Sequence, residues 1–269
     1  LGRPVRLGFL ERSEPDMATG LSAAAAEVGA GGRVTVLPLF LAAGRHQKAD
    51  VPAAVAEARR RHPAVTFRYG APLGFDHRLV ELAALRTRAA LALTPGALPA
   101  AESVVLLAGR GSADAAANSE LVRYAYLLQA QEPYATVEYA FQAAADPDVA
   151  AGIRRCHRLG ARQVIVTPFI LFTGHVYGRI QRVARETADP LGLRLIMASY
   201  LGIHPLLLDI AAQRLQEAED GRPAMTCDLC LHRPPVHEHP GHEHGDLTVA
   251  GQGSPAQPAE APTWTSGER

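Results

Sequence analysis

An excess of either charge is absent from this 269-residue chain: lysine plus arginine and aspartate plus glutamate each total 27. Without a basic field to collect phosphates, no nucleic-acid partner is expected. Long apolar runs are missing too. No stretch approaches the ~18 residues a membrane-spanning helix needs, so no membrane partner is expected either. The start, Leu1-Gly-Arg-Pro, does not have the basic-then-apolar layout of a secretory signal, and a cytoplasmic protein is expected. Cysteine is scarce. Three is an odd count, and two of them stand as Cys227-Asp-Leu-Cys230, a spacing that suits a metal or redox pair better than a disulfide framework. What is there is ordinary globular material, 48% hydrophobic and 20% charged, long enough for about two cores.

Short β-branched runs alternate with longer amphipathic stretches. Strands are predicted at residues 5–10, 33–40, 66–70, 103–108, 136–141, 163–169 and 194–198. Helix starts are predicted at Pro15-Asp16, Asp50-Val-Pro52 and Asp146-Pro147. This alternation predicts an α/β fold with parallel sheets and helices on both faces, and ligands then bind at the carboxyl ends of the strands.

The second half repeats the first. Gly8-Phe-Leu-Glu-Arg-Ser-Glu-Pro-Asp-Met17 matches Ala140-Phe-Gln-Ala-Ala-Ala-Asp-Pro-Asp-Val149, and Leu37-Pro-Leu-Phe-Leu-Ala-Ala-Gly44 matches Thr167-Pro-Phe-Ile-Leu-Phe-Thr-Gly174. Leu73-Gly74 pairs with Leu201-Gly202. This is one αβ unit duplicated, not a solenoid. The expected domains are residues 1–95 and 102–220. Residues 221–269, rich in proline and histidine, are expected to form a flexible metal-binding tail. The second copy opens with a strand, a glycine loop and a helix (residues 104–131) that the first copy lacks. Two explanations stay open: loss of that βα unit, or a natural start upstream of Leu1.

Three groups of residues carry candidate chemistry. His46, in Gly44-Arg-His46-Gln-Lys-Ala-Asp50, follows a strand directly and sits at the ligand edge, where imidazole serves as metal ligand or base; local packing is the competing reading. Gly109-Arg110-Gly111-Ser112 lies between a strand and a helix. It lacks the third glycine of a dinucleotide fingerprint, and is either a ligand-free tight turn or an anion site whose Arg110 favours a carboxylate. Cys227 and Cys230, followed by five of the eleven histidines within residues 232–244, could hold zinc, cobalt, nickel or part of an iron–sulfur cluster. His175 and Glu11 are weaker candidates, and His62, His77, His157 and His204 read as surface or packing residues.

Gly8-Phe-Leu-Glu11 with Glu14-Pro15, then Leu37-Pro-Leu-Phe-Leu-Ala-Ala-Gly-Arg-His46 and Asp50-Val-Pro52, resemble the sirohydrochlorin cobaltochelatase family. The duplication and the terminal Met-x-Cys-x-x-Cys resemble its long form. The resemblance implies ATP-independent insertion of cobalt(II) into sirohydrochlorin in anaerobic cobalamin biosynthesis; close relatives insert iron for sirohaem. Sirohydrochlorin and a divalent metal are the implied partners, and a homodimer is left open. The implied metal ligand and catalytic residue is His46. Substrate contacts fall on Ala42, Ala43, Gly44, Arg45, His46 and Gln47, with Glu11 and Arg110 beside them, and Cys227 and Cys230 hold a cluster or another metal. The family's first strand normally ends in Gly-His-Gly-Ser, whose histidine is the other metal ligand. Its counterpart here is Gly109-Arg110-Gly111-Ser112, and arginine serves as neither ligand nor base. The chain as written is therefore expected to insert little cobalt, and one extended through such a segment to be active. A non-catalytic metal- or tetrapyrrole-binding protein is the rival from another class.

Overall fold

The computed structural model describes residues 4–10, 13–44 and 46–222. Their larger sheet has four parallel strands in the order β4-β3-β5-β6: β3 (Val104–Gly109), β4 (Thr136–Phe141), β5 (Gln163–Pro168) and β6 (Arg194–Met197). Every residue of β3 and β5 is buried, as strands covered on both faces must be. Alternation splits their side chains between two cores. Val105, Leu107 and Ile165 face α3 (His77–Ala92), α4 (Ala115–Gln131) and α7 (Pro205–Glu219). Val104, Leu106 and Val166 face α5 (Val149–Arg158) and α6 (His175–Ala188). The first half carries two parallel strands, β1 (Arg33–Val36) and β2 (Thr66–Tyr69), with Phe67 and Tyr69 packed against α1 (Met17–Val28) and α2 (Val51–Arg61). The predicted α/β fold with parallel sheets is the observed one.

The duplication is visible in matching details. Phe9 bridges Asp16 as Phe141 bridges Asp148, and Asp16 and Asp148 then cap α1 and α5 with their carboxylates. Equivalent helices cross between the halves. The first half's α3 lies on the second sheet, where Thr87 and Thr167 share a buried hydroxyl hydrogen bond of 2.8 Å and Arg86 donates to the carbonyl of Leu201. Its counterpart α7 reaches the first sheet, where Ala218 closes on Gly70 and Arg68 donates to the carbonyl of Glu219.

Two sequence expectations need correction. Residues 5–10 form no strand beyond the Phe9 bridge. Their counterpart β4 pairs with β3, and the described first half has no equivalent of β3, so Val5 and Leu7 stay 65% and 62% exposed beside an unsatisfied edge. Strand 33–40 stops at Val36, because Pro38 offers no amide to the ladder.

Asp76 begins α3, accepting from the Arg78 amide (2.9 Å) and pairing with the Arg78 guanidinium (2.6 Å). The Arg78 hydrogen bonds hold its carboxyl below the usual carboxylate range. A depressed carboxyl stabilises the fold above its unfolded pKa and loses that contribution as pH falls through its folded value. Asp76→Asn keeps a capping oxygen and loses the charge, so it should cost about 1 kcal/mol at neutral pH. The difference in thermal midpoint between parent and variant should shrink as pH drops below about 4. A difference that stays constant to pH 2 would assign the effect to something other than this ion pair.

Candidate functional site

The carboxyl ends of β3, β4 and β5 open into a cavity of about 900 Å³, closed on its far side by the first half's loop from Leu39 to Gln47. His46 opens one wide helical turn, His46–Asp50, that runs straight into α2. The expected helix start near Asp50 holds, but Asp50 is itself helical and caps nothing. Its carboxylate turns back one turn to the His46 ring, with Nδ1 and Oδ2 2.7 Å apart. An ionised carboxylate only accepts, so Nδ1 donates this hydrogen bond, and in the neutral ring Nε2 then keeps its lone pair. The Phe40 ring lies roughly parallel beside it, with the two centroids 6.4 Å apart. The result is an oriented, half-buried imidazole with one free donor atom.

The Gly109-Arg110-Gly111-Ser112 turn lines the same cavity and is braced by hydrogen bonds. The Ala143 amide donates to the Arg110 carbonyl, and Asn118 binds both the amide and the carbonyl of Ser112. Asp114 takes the first free amides of α4, at Ala116 and Ala117. The start of α4 is thus capped by Asp114, and Arg110 lines the cavity together with Gly109, Gly111 and Ser112. Lys48 bridges the halves to Asp114 at 2.5 Å and holds that carboxyl below its ordinary range. Gly44 approaches Ser112 so closely that a Cβ there would sit 3.3 Å from its hydroxyl. These two contacts fix the spacing between the His46 loop and the arginine turn. Tyr124 lies against Phe169 on the inner wall, its hydroxyl donating to the Gly74 carbonyl and accepting from the Asp76 amide. Burial pushes that phenol up, away from any role as a proton carrier.

Of the residues expected to contact substrate, Ala42, Gly44, His46, Gln47 and Arg110 line the cavity, and Ala43 does not. Gln47 is closed to solvent, and its side-chain amide has no partner among the described residues. Glu11, Arg45, Cys227 and Cys230 lie outside the described residues. The cavity also takes in His175, which sequence reasoning ranked low, and Arg179, which it missed. The signal for Arg179 was its position one helical turn beyond His175, on the same face. Among the described residues, no group of three or more histidine, cysteine or acidic side chains could hold a metal, and no helix is long and apolar enough to cross a membrane.

An open cleft between duplicated α/β units, with His46, His175, Arg110 and Arg179 on its lining, sits in a fold of the chelatase class. The CbiX family matches residues 1–90 and 104–218, and the chain belongs to that family, the sirohydrochlorin chelatases. It is 34% identical over 235 residues to the sirohydrochlorin cobaltochelatase of Priestia megaterium, covering 87% of this chain and 76% of that one. It is 32% identical over 208 residues to the sirohydrochlorin ferrochelatase of the same organism, covering 77% and 75%. Among solved structures, SirB from Bacillus subtilis with Fe3+ superposes with a TM-score of 0.68 at 28% identity, over 82% of this chain and 86% of that one. SirB from Bacillus subtilis subspecies spizizenii in complex with cobalt gives 0.62 at 29% identity, over 82% and 83%.

Proposed function

We propose that the protein is an ATP-independent chelatase that inserts cobalt(II) into sirohydrochlorin. The observation that carries the reading is the Asp50–His46 pair on the wall of a cavity large enough for a macrocycle. Cobalt(II) enters as a substrate ion and meets Nε2, the one uncommitted imidazole nitrogen. A single neutral ligand from the protein holds the ion loosely, which suits an ion that must be handed on. Insertion replaces metal-bound water by four macrocycle nitrogens and releases two pyrrole protons. The Asp50 carboxylate keeps the imidazole in one tautomer throughout and stabilises the ring when it takes up a proton after the metal has left. Arg110 offers a planar pair of donors to a substrate carboxylate.

Iron insertion is the second reading, favoured by the ferrochelatase relatives, since imidazole accepts both ions. Within the same proposal, Cys227 and Cys230 hold an iron–sulfur cluster or another metal, on the strength of their spacing, and the enzyme works in the cytoplasm. The test is the visible spectrum of sirohydrochlorin after addition of cobalt(II) or iron(II) without oxygen, corrected for spontaneous insertion. Protein-dependent formation of the cobalt product supports the first reading, and faster iron insertion the second. Asp50→Asn should cut the cobalt rate by about tenfold or more, the usual scale for losing a carboxylate that orients a ligating histidine. An unchanged rate would remove Asp50 from the site.

A further inference from the structure

The function proposed above gives the second half's end of the cavity little to do. The repeat alignment that places Leu37-Pro-Leu-Phe-Leu-Ala-Ala-Gly44 on Thr167-Pro-Phe-Ile-Leu-Phe-Thr-Gly174 also places His46 on Val176 and Ala49 on Arg179. The two equivalent ends have therefore diverged: one carries the ligating imidazole, the other a guanidinium. Arg179 lies on α6, one turn beyond His175, and lines the cavity together with Arg110 from the turn after β3. Neither arginine pairs with an acid or accepts a substitute partner among the described residues. Two acids share the cavity with them, Asp114 and Glu120. Asp114 is bound to Lys48, whereas Glu120, which also lines the cavity, pairs with neither arginine and keeps one buried carboxylate oxygen without a partner among the described residues. Leu171 and the half-exposed Phe172 line the same cavity and add apolar surface to it.

We propose that Arg110 and Arg179 form a carboxylate-binding wall that grips the acid side chains of the tetrapyrrole and turns its ring nitrogens toward His46. The inference rests on the chelatase reading and adds the division of labour between the halves. A tetrapyrrole acid has a flat apolar ring and an anionic edge. The apolar surface around Phe172 suits the ring, and two unpaired guanidinium groups suit the edge. An arginine is the better choice for such an edge than lysine because its planar fork binds a carboxylate through two parallel hydrogen bonds.

The experiment is an absorbance titration of the full chain with metal-free sirohydrochlorin under anaerobic conditions, beside a separate titration with cobalt(II) alone. Arg179→Gln should weaken sirohydrochlorin binding by about tenfold or more, the scale of a lost charge-assisted contact. Arg179→Lys should recover part of the loss. Arg110→Gln should behave like Arg179→Gln, and each should flatten the dependence of affinity on salt. Cobalt(II) binding without tetrapyrrole should stay as in the parent for all of them, and in turnover the KM for sirohydrochlorin should rise while kcat falls, because the ring is no longer turned toward His46. Arg179 is exposed and makes no contact that folding needs, so the variants should keep the parent's thermal midpoint. If the parent binds sirohydrochlorin and Arg179→Gln binds it equally well, the wall is overturned while the chelatase reading stands. If the parent binds no sirohydrochlorin at all, both fall.

Discussion

In a chain extended through a Gly-His-Gly-Ser segment, replacing His46 by alanine should lower the protein-dependent rate of cobalt insertion by about two orders of magnitude or more, the usual scale for removing a positioned acid or base. The size follows from what the ring does. Nε2 is the free donor atom of an imidazole whose other nitrogen is held by Asp50 at 2.7 Å and whose ring lies beside Phe40. Alanine removes that donor. Among the described residues no cluster of ligating side chains could take over the ion. His175 sits on the same cavity but on the opposite half, one position away from the repeat equivalent of His46. Cobalt(II) affinity is the second measurement, followed by the absorbance of the bound ion, and it does not depend on turnover. It should fall together with the rate. His46 is part of a surface loop and only half-buried, so the variant should fold, which circular dichroism would establish. A variant with parental rate and parental cobalt affinity sinks the assignment of this residue as the ligand.

The order of elements was legible because hydrophobic periodicity and Asp-Pro punctuation are local signals. Strands β3 to β6 fall where apolar runs predicted them, and the duplicated motifs reappear as duplicated caps and bridges. The His46 loop could be placed at the ligand edge for the same reason: a strand followed by a glycine loop and a helix puts its loop there. The failures are all matters of pairing. Residues 5–10 have the composition of a strand, but a strand exists only with a neighbour to receive its hydrogen bonds, and alternation of side chains says nothing about that neighbour. Asp50 reads as a helix cap from its position before Val-Pro. Its carboxylate instead goes to His46, a choice made in three dimensions. The crossing of α3 and α7 between the sheets was equally invisible, since each helix needs an apolar face and either sheet would provide one. Arg179 escaped notice because a single arginine on an amphipathic helix looks like any solvated residue until the cavity beside it is known.

Gly111→Ala should be the most destabilising single change in the arginine turn, costing about 3 kcal/mol or more. Two separate penalties meet there. The backbone stands at φ +84, a left-handed conformation that L side chains adopt at a cost of roughly 1–2 kcal/mol. A Cβ would also fall far inside contact distance of the Ala143 carbonyl oxygen, and 3.1 Å from the Cβ of Phe141. That oxygen is backbone and cannot rotate away like the end of a long side chain. The turn is held by hydrogen bonds from Gln142 to the Gly109 carbonyl and from Ala143 to the Arg110 carbonyl, so relief of the clash must break one of them. Gly160 supplies the control. It has nearly the same φ, +85, and open space where its Cβ would go. Gly160→Ala therefore reports the conformational penalty alone, about 1 kcal/mol. For a fold of this size the thermal midpoint should drop by about 6–12 °C in Gly111→Ala and by about 2–4 °C in Gly160→Ala. The clash also displaces Arg110, so Gly111→Ala should weaken sirohydrochlorin binding at temperatures where the protein is still folded, and Gly160→Ala should not. Equal midpoints for the two variants would mean that the turn yields without strain, and that its second glycine is not what holds Arg110 against the cavity.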